Sequence, residues 1–328
     1  MKRFIHIVFT LQFFLLLTIF TNKTFAMTRH KSLNEVRIGV LSGPSGIPMA
    51  KQMENDRTED VQASYEVFAG AALLLPKLIK GEIDIGFLPP NMAAKVYNTN
   101  NKALVTAGIA GNGMLYLITK DKSIQNLSDL KGKTVTVAGQ GATPDFMLRY
   151  LLSKECISTD QDGITLDFSI PNAEIAPALI SDRIQYALVP EPFATAAETK
   201  SSDIIRAIDI QKLYNQVQNT KDSYPMTLIV VNSTFAQEHA DVVRAFLKSY
   251  KEASEWTKAH TKEAGSLVEK HSIGLAGTVA QKAIPNCAYT FVTADKGRKS
   301  IEYLLNVFLQ FNQASIGGKL PDEEFYFK

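Results

Sequence analysis

From residue 36 onward, short β-branched and apolar runs alternate with stretches of helical periodicity. VRIGVL (36–41) reads as a strand, SGPSG as a turn and IPMAKQME as a first helix. The strand QASYEVF, the helix AALLLPKLIK, the strand IDIGFL and a helix beginning near Asn91 follow. KTVTVA, GITLDFS and IQYALV continue the scheme, with the helices FMLRYLLSKE, AEIAPALIS and FATAAE among them. Strands of this length separated by helices predict parallel units, so the expected fold class is α/β throughout.

The pattern changes near residue 233. STFAQEHADVVRAFLKSYKEASEWTKAH opens on Ser233 as an N-cap and sets Phe235, Val242, Val243, Phe246, Leu247, Tyr250 and Trp256 at helical spacing. This predicts one long amphipathic helix whose aromatic residues belong to the core. Two or three further helices and the aromatic tail EEFYFK complete the chain.

One stretch occurs twice. LIKGEIDIGFLPPNM, from Leu78, and LISDRIQYALVPEPF, from Leu179, align without gaps, so that Ile79 meets Ile180, Ile83 meets Ile184 and Pro89 meets Pro190. Reuse of a βα unit within one α/β fold explains such a pair, and so do two similar lobes. The matching strand and helix ahead of each copy favour the lobes. MLYLITK (114–120) then carries the chain out of the first lobe and SYPMTLIVVN (223–232) brings it back. The expected division is residues 33–117 plus 228–328 for lobe 1 and 118–227 for lobe 2, with two hinge crossings above a cleft.

The first 26 residues stand outside this pattern. Lys2 and Arg3 precede the apolar run FIHIVFTLQFFLLLTIF, and a polar stretch ends at the small Ala26. Residues 1–26 therefore read as a secretory signal peptide cleaved after Ala26. A membrane anchor is the alternative, since about 17 apolar residues just reach spanning length. No cysteine follows the run closely, so a lipid anchor is not expected.

Loss of the leader removes three cations and no acid, turning the formal charge of +2 into −1. That balance gives no support to nucleic-acid or membrane-surface binding. Cys156 and Cys287 have no metal-ligand spacing and are expected as separate buried thiols rather than a disulfide. His30, His239, His260 and His271 sit beside no Cys or Asp cluster, so neither a zinc or iron site nor any other cofactor is expected.

Open α/β sheets bind ligands beyond the carboxyl ends of their strands. After VRIGVL come Ser42, Gly43, Pro44, Ser45 and Gly46; after KTVTVA comes GQGATPD, with Thr143 read as an N-cap, Pro144 as the first helical residue and Asp145 as an early acid. Both loops would aim free N–H groups into the cleft. Each alone is equally an ordinary βα turn, and neither is a nucleotide motif. Together they favour an acidic or polar ligand group.

A helix N-terminus contributes about 0.3–1 kcal/mol, whereas micromolar binding needs about 8 kcal/mol. Side chains near strand ends must supply the rest: Phe68, Phe87, Asn91, Asn112, Tyr116, Phe193 and Tyr224 are candidates. Each aromatic is as well explained as core; Asn91 and Asn112 are stronger, because buried amides need partners. No nucleophile elbow or H-E-x-x-H occurs, no histidine lies in these loops, and nothing sets Glu174 and Glu191 at a catalytic spacing.

The signal segment, the SGPSG turn, SIQNLSDLKGKTVTVAGQGATPDFML and above all VPEPFATAA resemble the periplasmic binding proteins of ABC importers, in the group handling sulfonates, nitrate and thiamine-pyrimidine-type compounds. The resemblance covers nearly the whole mature chain. It implies a type II periplasmic-binding-protein fold: two lobes, each a mixed, mainly parallel sheet flanked by helices, closing as a monomer on a small-molecule ligand for delivery to an ABC transporter permease. The ligand-facing loops it implies are Ser42–Gly46, Phe68–Ala71 with Gly70, Pro89–Asn91 with Pro90, Gly111–Met114, Gly141–Thr143 with Ala142, and Pro190–Phe193 with Glu191, beside Tyr224.

One departure matters. None of these loops carries an arginine of the kind that grips a sulfonate or carboxylate bidentately, so a neutral or zwitterionic heterocycle is a credible ligand. A few enzymes share the fold, and the lack of cleft histidines together with the signal segment counts against that alternative. Glu191 keeps three readings: a ligand acceptor, a cap for its own helix, or a permease contact.

Overall fold

The computed structural model describes residues 33–328, apart from 56, 59 and 160–162. The segment read as a cleaved leader lies outside the described residues. Among those described, no helix is long and apolar enough to cross a membrane.

Two sheets carry the architecture. The first holds β1 (Glu35–Leu41), β2 (Arg57–Thr58), β3 (Val61–Phe68), β4 (Ile85–Leu88) and β5 (Leu104–Asn112), joined by β11 (Pro225–Asn232) and β12 (Tyr289–Thr293). The second holds β6 (Leu115–Thr119), β7 (Thr134–Val137), β8 (Thr165–Asp167), β9 (Tyr186–Pro190) and β10 (Ile205–Asp209). Their orders are β12-β5-β11-β4-β1-β3-β2 and β10-β6-β9-β7-β8. The chain crosses from the first sheet to the second between Asn112 and Leu115, and returns after the helix Ile210–Gln218.

Strand direction decides where the loops gather. β1 is parallel to β3 and β4, while β11 runs antiparallel to both β4 and β5. The carboxyl ends of β1, β3, β4 and β5 therefore share one edge. In the second sheet β7 is parallel to β8 and β9, and β9 lies antiparallel to β6 with Pro190 opposite Leu115. This brings the ends of β7 and β9 to the edge where the chain enters from the first sheet. The strand interiors follow from their sequences: IGFL of β4 is buried at all four positions, as expected of a strand covered on both faces.

Three expectations are corrected. The segment after residue 232 forms two helices, Ser233–Glu238 and Ala240–Ala259, separated at His239 with φ −135° and ψ 45°. Between Ala236 and Val242 no residue is buried, and the break falls in this polar run at His239. The cap is Asn232, not Ser233: its Oδ1 accepts from the N–H groups of Thr234 at 3.1 Å and Phe235 at 3.2 Å, while its Nδ2 donates to the Leu78 carbonyl at 3.0 Å. Thr143 is likewise the first residue of its helix, Thr143–Lys154, with Pro144 second and Asp145 third. The helix has no side-chain cap; Asp145 instead reaches back to the loop before it, its carboxylate accepting from the Gly141 N–H at 2.9 Å.

The aromatic residues of Ala240–Ala259 lie in the core except Trp256, which is half-buried under Lys51 and His260. Cys156 and Cys287 are both free thiols, as expected, but Cys156 is exposed because it sits at a helix end with φ +56°. Cys287 is buried.

Candidate functional site

The loops at the two carboxyl edges meet. Asn91, second residue of the helix Pro90–Thr99, donates through Nδ2 to the Gly141 carbonyl at 3.1 Å. Gly141 has φ +68°, a conformation open to glycine and strained for other residues. That geometry lets one residue offer its carbonyl to Asn91 and its N–H to Asp145. Tyr116 adds a second contact between the sheets' units, donating weakly to the Asn286 carbonyl at 3.4 Å. The helix Gly277–Ala283 packs against the helix Phe193–Lys200.

Around this junction the predicted residues fall into distinct places. The Ser42 N–H donates to the Phe68 carbonyl at 2.8 Å, closing the β1 and β3 loops together, and Gly43 has φ +111°. Ser45 is buried, Pro44 half-buried, and Gly46 opens a short helix so closely packed that a Cβ there would lie 2.2 Å from the Leu41 carbonyl oxygen. The Phe68 ring belongs to the main apolar core, with Lys77 Nζ 5.3 Å from its centroid, so core is its observed place. Gly70 precedes the helix Ala71–Lys80 in extended backbone. Pro90 is buried at the head of its helix, and Ala142 precedes Thr143, which is buried.

Met114 and Glu191 are joined, the Glu191 N–H donating to the Met114 carbonyl at 2.9 Å. Asn112 ends β5, its N–H donating to the Ala288 carbonyl at 3.1 Å. Tyr224 is buried on the return crossing, its ring edge-on to Tyr214 at 5.2 Å. Phe193 turns toward the second sheet's own apolar cluster. Glu174 is exposed and 4.0 Å from Arg183, far from being a partner of the buried Glu191.

Glu191 is fully buried, and its peptide bond to Pro192 is cis. Both carboxylate oxygens are engaged: Arg206 Nη1 reaches Oε1 at 2.5 Å, Thr195 Oγ1 donates to Oε1 at 3.1 Å and the Thr195 N–H to Oε2 at 3.3 Å. Arg206 also donates to Glu198 at 2.9–3.0 Å and to Thr195 Oγ1 at 2.8 Å, and its guanidinium lies 4.4 Å from the centroid of Tyr116. Burial pushes the Glu191 carboxyl upward, and Arg206 and Thr195 oppose that push. Burial likewise pushes the Tyr116 hydroxyl up to about 12, so it stays a neutral donor at physiological pH.

Among the described residues, buried oxygens beside the junction without a hydrogen-bond partner include Asn91 Oδ1, Asn112 Oδ1, Thr143 Oγ1 and the Tyr224 hydroxyl. Burying such groups unpaired costs about 1–3 kcal/mol each, so they mark a surface built to face something polar.

The model of the NMT1-like family matches residues 31–269. The chain belongs to this family. Among NMT1-like relatives and their structural kin, a Bacillus subtilis protein provisionally named for binding aliphatic sulfonates is 25% identical over 246 residues, covering 73% of this chain and 70% of that one. The crystal structure of an ABC transporter protein from Parabacteroides distasonis superposes with TM-score 0.77 at 25% identity, covering 90% of this chain and 99% of that one. The Escherichia coli periplasmic aliphatic sulphonate binding protein SsuA superposes with TM-score 0.73 at 17% identity, covering 90% and 92%, and shares the two-lobed α/β fold.

For this NMT1-like chain, sequence reasoning missed Arg206. It lies in β10, 15 positions beyond Glu191, and no motif marks it. A usable signal existed: a carboxylate between two prolines at a buried strand end requires a cation, and Arg206 is the first arginine after it.

Proposed function

We propose that this protein is an extracytoplasmic solute-binding protein that captures a small organic molecule between its lobes and delivers it to the permease of an ABC importer. The observation that carries this reading is the hydrogen bond between Asn91 and Gly141, which brings the carboxyl-end loops of two separate sheets face to face around unpaired buried oxygens. Residues 33–117 plus 228–328 form lobe 1 in this reading and residues 118–227 form lobe 2. Residues 1–26 are the exported leader, and the mature protein acts as a monomer in the periplasm.

The named relatives support the class of activity, since two are named for binding aliphatic sulfonates and one as an ABC transporter protein. The role is capture without turnover. Ser42–Gly46, Gly70, Pro90, Asn91, Asn112, Met114, Gly141–Thr143 and Tyr224 form the ligand's surroundings, while Glu191 holds the lip of the second lobe in shape. Native mass spectrometry of freshly purified protein tests the reading by finding a bound small molecule of defined mass. Thermal unfolding in the presence of that molecule then rises, a ligand at 100 times its Kd adding about 2.7 kcal/mol. Absence of any bound or stabilising metabolite defeats the reading.

A further inference from the structure

The six loops that line the junction contain one charged residue between them, Glu191, and no lysine, arginine or histidine. Glu191 is already neutralised by Arg206. Asp145, two positions beyond Thr143, is bound by Arg149 Nε at 2.6 Å. No free cation is therefore offered to a ligand by these loops.

Helix N-termini are the usual substitute, and the two in the second sheet's unit already face a carboxylate, whereas Ala71–Lys80 begins without a side-chain cap. The start of Thr143–Lys154 faces the carboxylate of Asp145, which holds the Gly141 N–H. The start of Phe193–Lys200 faces the carboxylate of Glu191, which holds the Thr195 N–H. The helix Pro90–Thr99 begins Pro89-Pro90 and has no N–H at either position. A second anion at the first two ends would meet like charge.

Beside the hydroxyls of Tyr224 and Thr143, the junction offers acceptors. The bond from Asn91 Nδ2 to the Gly141 carbonyl fixes the amide's orientation, because the reverse orientation would set two carbonyl oxygens against each other. Asn91 Oδ1 is thereby an acceptor, buried and unpartnered; the Asn112 amide, whose buried end is also unpartnered and whose orientation no bond fixes, can present a second. β4 and β5 flank β11, so the strand that leads into Asn91 and the strand that ends at Asn112 lie two strand spacings apart, about 10 Å.

Resting on the solute-binding reading, we propose that the ligand is an uncharged molecule with at least two N–H or O–H donors, received by Asn91 Oδ1 and Asn112 Oδ1, and not an oxyanion. Thr143 Oγ1 can both donate and accept, and completes the set from the opposite lobe. Nitrate and alkanesulfonates have no donor to give these carbonyl oxygens and would leave them unpaired.

Isothermal titration of the mature protein, stripped of bound molecules, against two panels tests this. One panel holds uncharged donors (urea, primary amides, amino-substituted heterocycles, small polyols); the other holds nitrate and methanesulfonate. Binding is expected from the first panel only. Asn112→Asp keeps an accepting oxygen and should hold affinity within about threefold, whereas Asn112→Leu should lose at least about tenfold. Binding of nitrate or methanesulfonate, abolished by Asn112→Asp, overturns the ligand class while leaving solute capture intact. No binding from either panel, with no molecule retained through purification, overturns both.

Discussion

Asn91 and Gly141 stand 50 positions apart and on different sheets, yet one hydrogen bond of 3.1 Å joins them. Asn91→Ala removes that bond and one unpaired acceptor together. A net loss of about 1–2 kcal/mol in the closed arrangement corresponds to roughly 5- to 30-fold weaker ligand binding. Titration of the co-purifying ligand checks affinity, and small-angle scattering should show a larger radius of gyration for the variant without ligand. Unchanged affinity would remove Asn91 from the closing contact.

Arg206→Met leaves the fully buried Glu191 without its cation. Such a break costs about 3–5 kcal/mol, and the double variant Glu191→Gln with Arg206→Met should regain much of it. Urea unfolding of Arg206→Met, Glu191→Gln and the double variant measures this. Equal stability of the single and double variants would mean that the pair is not coupled.

Gly113 sits at the outgoing crossing between the sheets, where a Cβ would lie 2.2 Å from Gln211 Oε1 and 2.6 Å from the Tyr224 ring. Gly113→Ala should destabilise by about 1–3 kcal/mol through this crowding. Tyr224→Leu in the same chain should relieve part of the loss, and a thermal melt reads both.

Asp322 gives a pH dependence with a definite sign. Hydrogen bonds from Tyr97 and then Lys102 hold its carboxyl below the usual carboxylate range. The lowered folded-state pKa means that Asp322 stabilises fully above its unfolded pKa of about 3.9, and that this contribution disappears as pH falls through the folded value. The stability gap between the wild type and Asp322→Asn should be present at neutral pH and close in strong acid. A gap that widens on acidification would refute the assignment.

Cys287 lies close enough to Glu191 and Arg206 to feel both charges, and burial pushes its thiol up to about 12. Cys156 is exposed. A thiol reagent at pH 8 should modify Cys156 at once and Cys287 slowly, and bound ligand should slow Cys287 further without affecting Cys156. Mass spectrometry of the labelled chain separates the two sites.

The strand and helix order was legible because each element carries its own period and its own boundary residues. VRIGVL, IDIGFL and the helix AALLLPKLIK all appear within two residues of their expected limits. The duplicated stretch was informative for the same reason: its two copies end β4 and β9, one in each sheet. Asn91 and Asn112 were recoverable from the cost of burying an amide. The Arg206 partnership left no periodic trace and could be reached only through the cost of burying Glu191 without a cation. β12 was not recoverable, because its five residues between two helices resemble a loop until β5 is there to pair with them.

The Glu191–Arg206–Thr195 assembly holds both oxygens of a carboxylate at the very lip of the second lobe. A rim made in this way keeps its shape whichever solute passes it, because its polar groups answer to one another and not to the cargo. Under the proposed solute-capture role, a change of ligand would then fall to Asn91, Asn112 and Thr143, while the buried Glu191 assembly stays fixed.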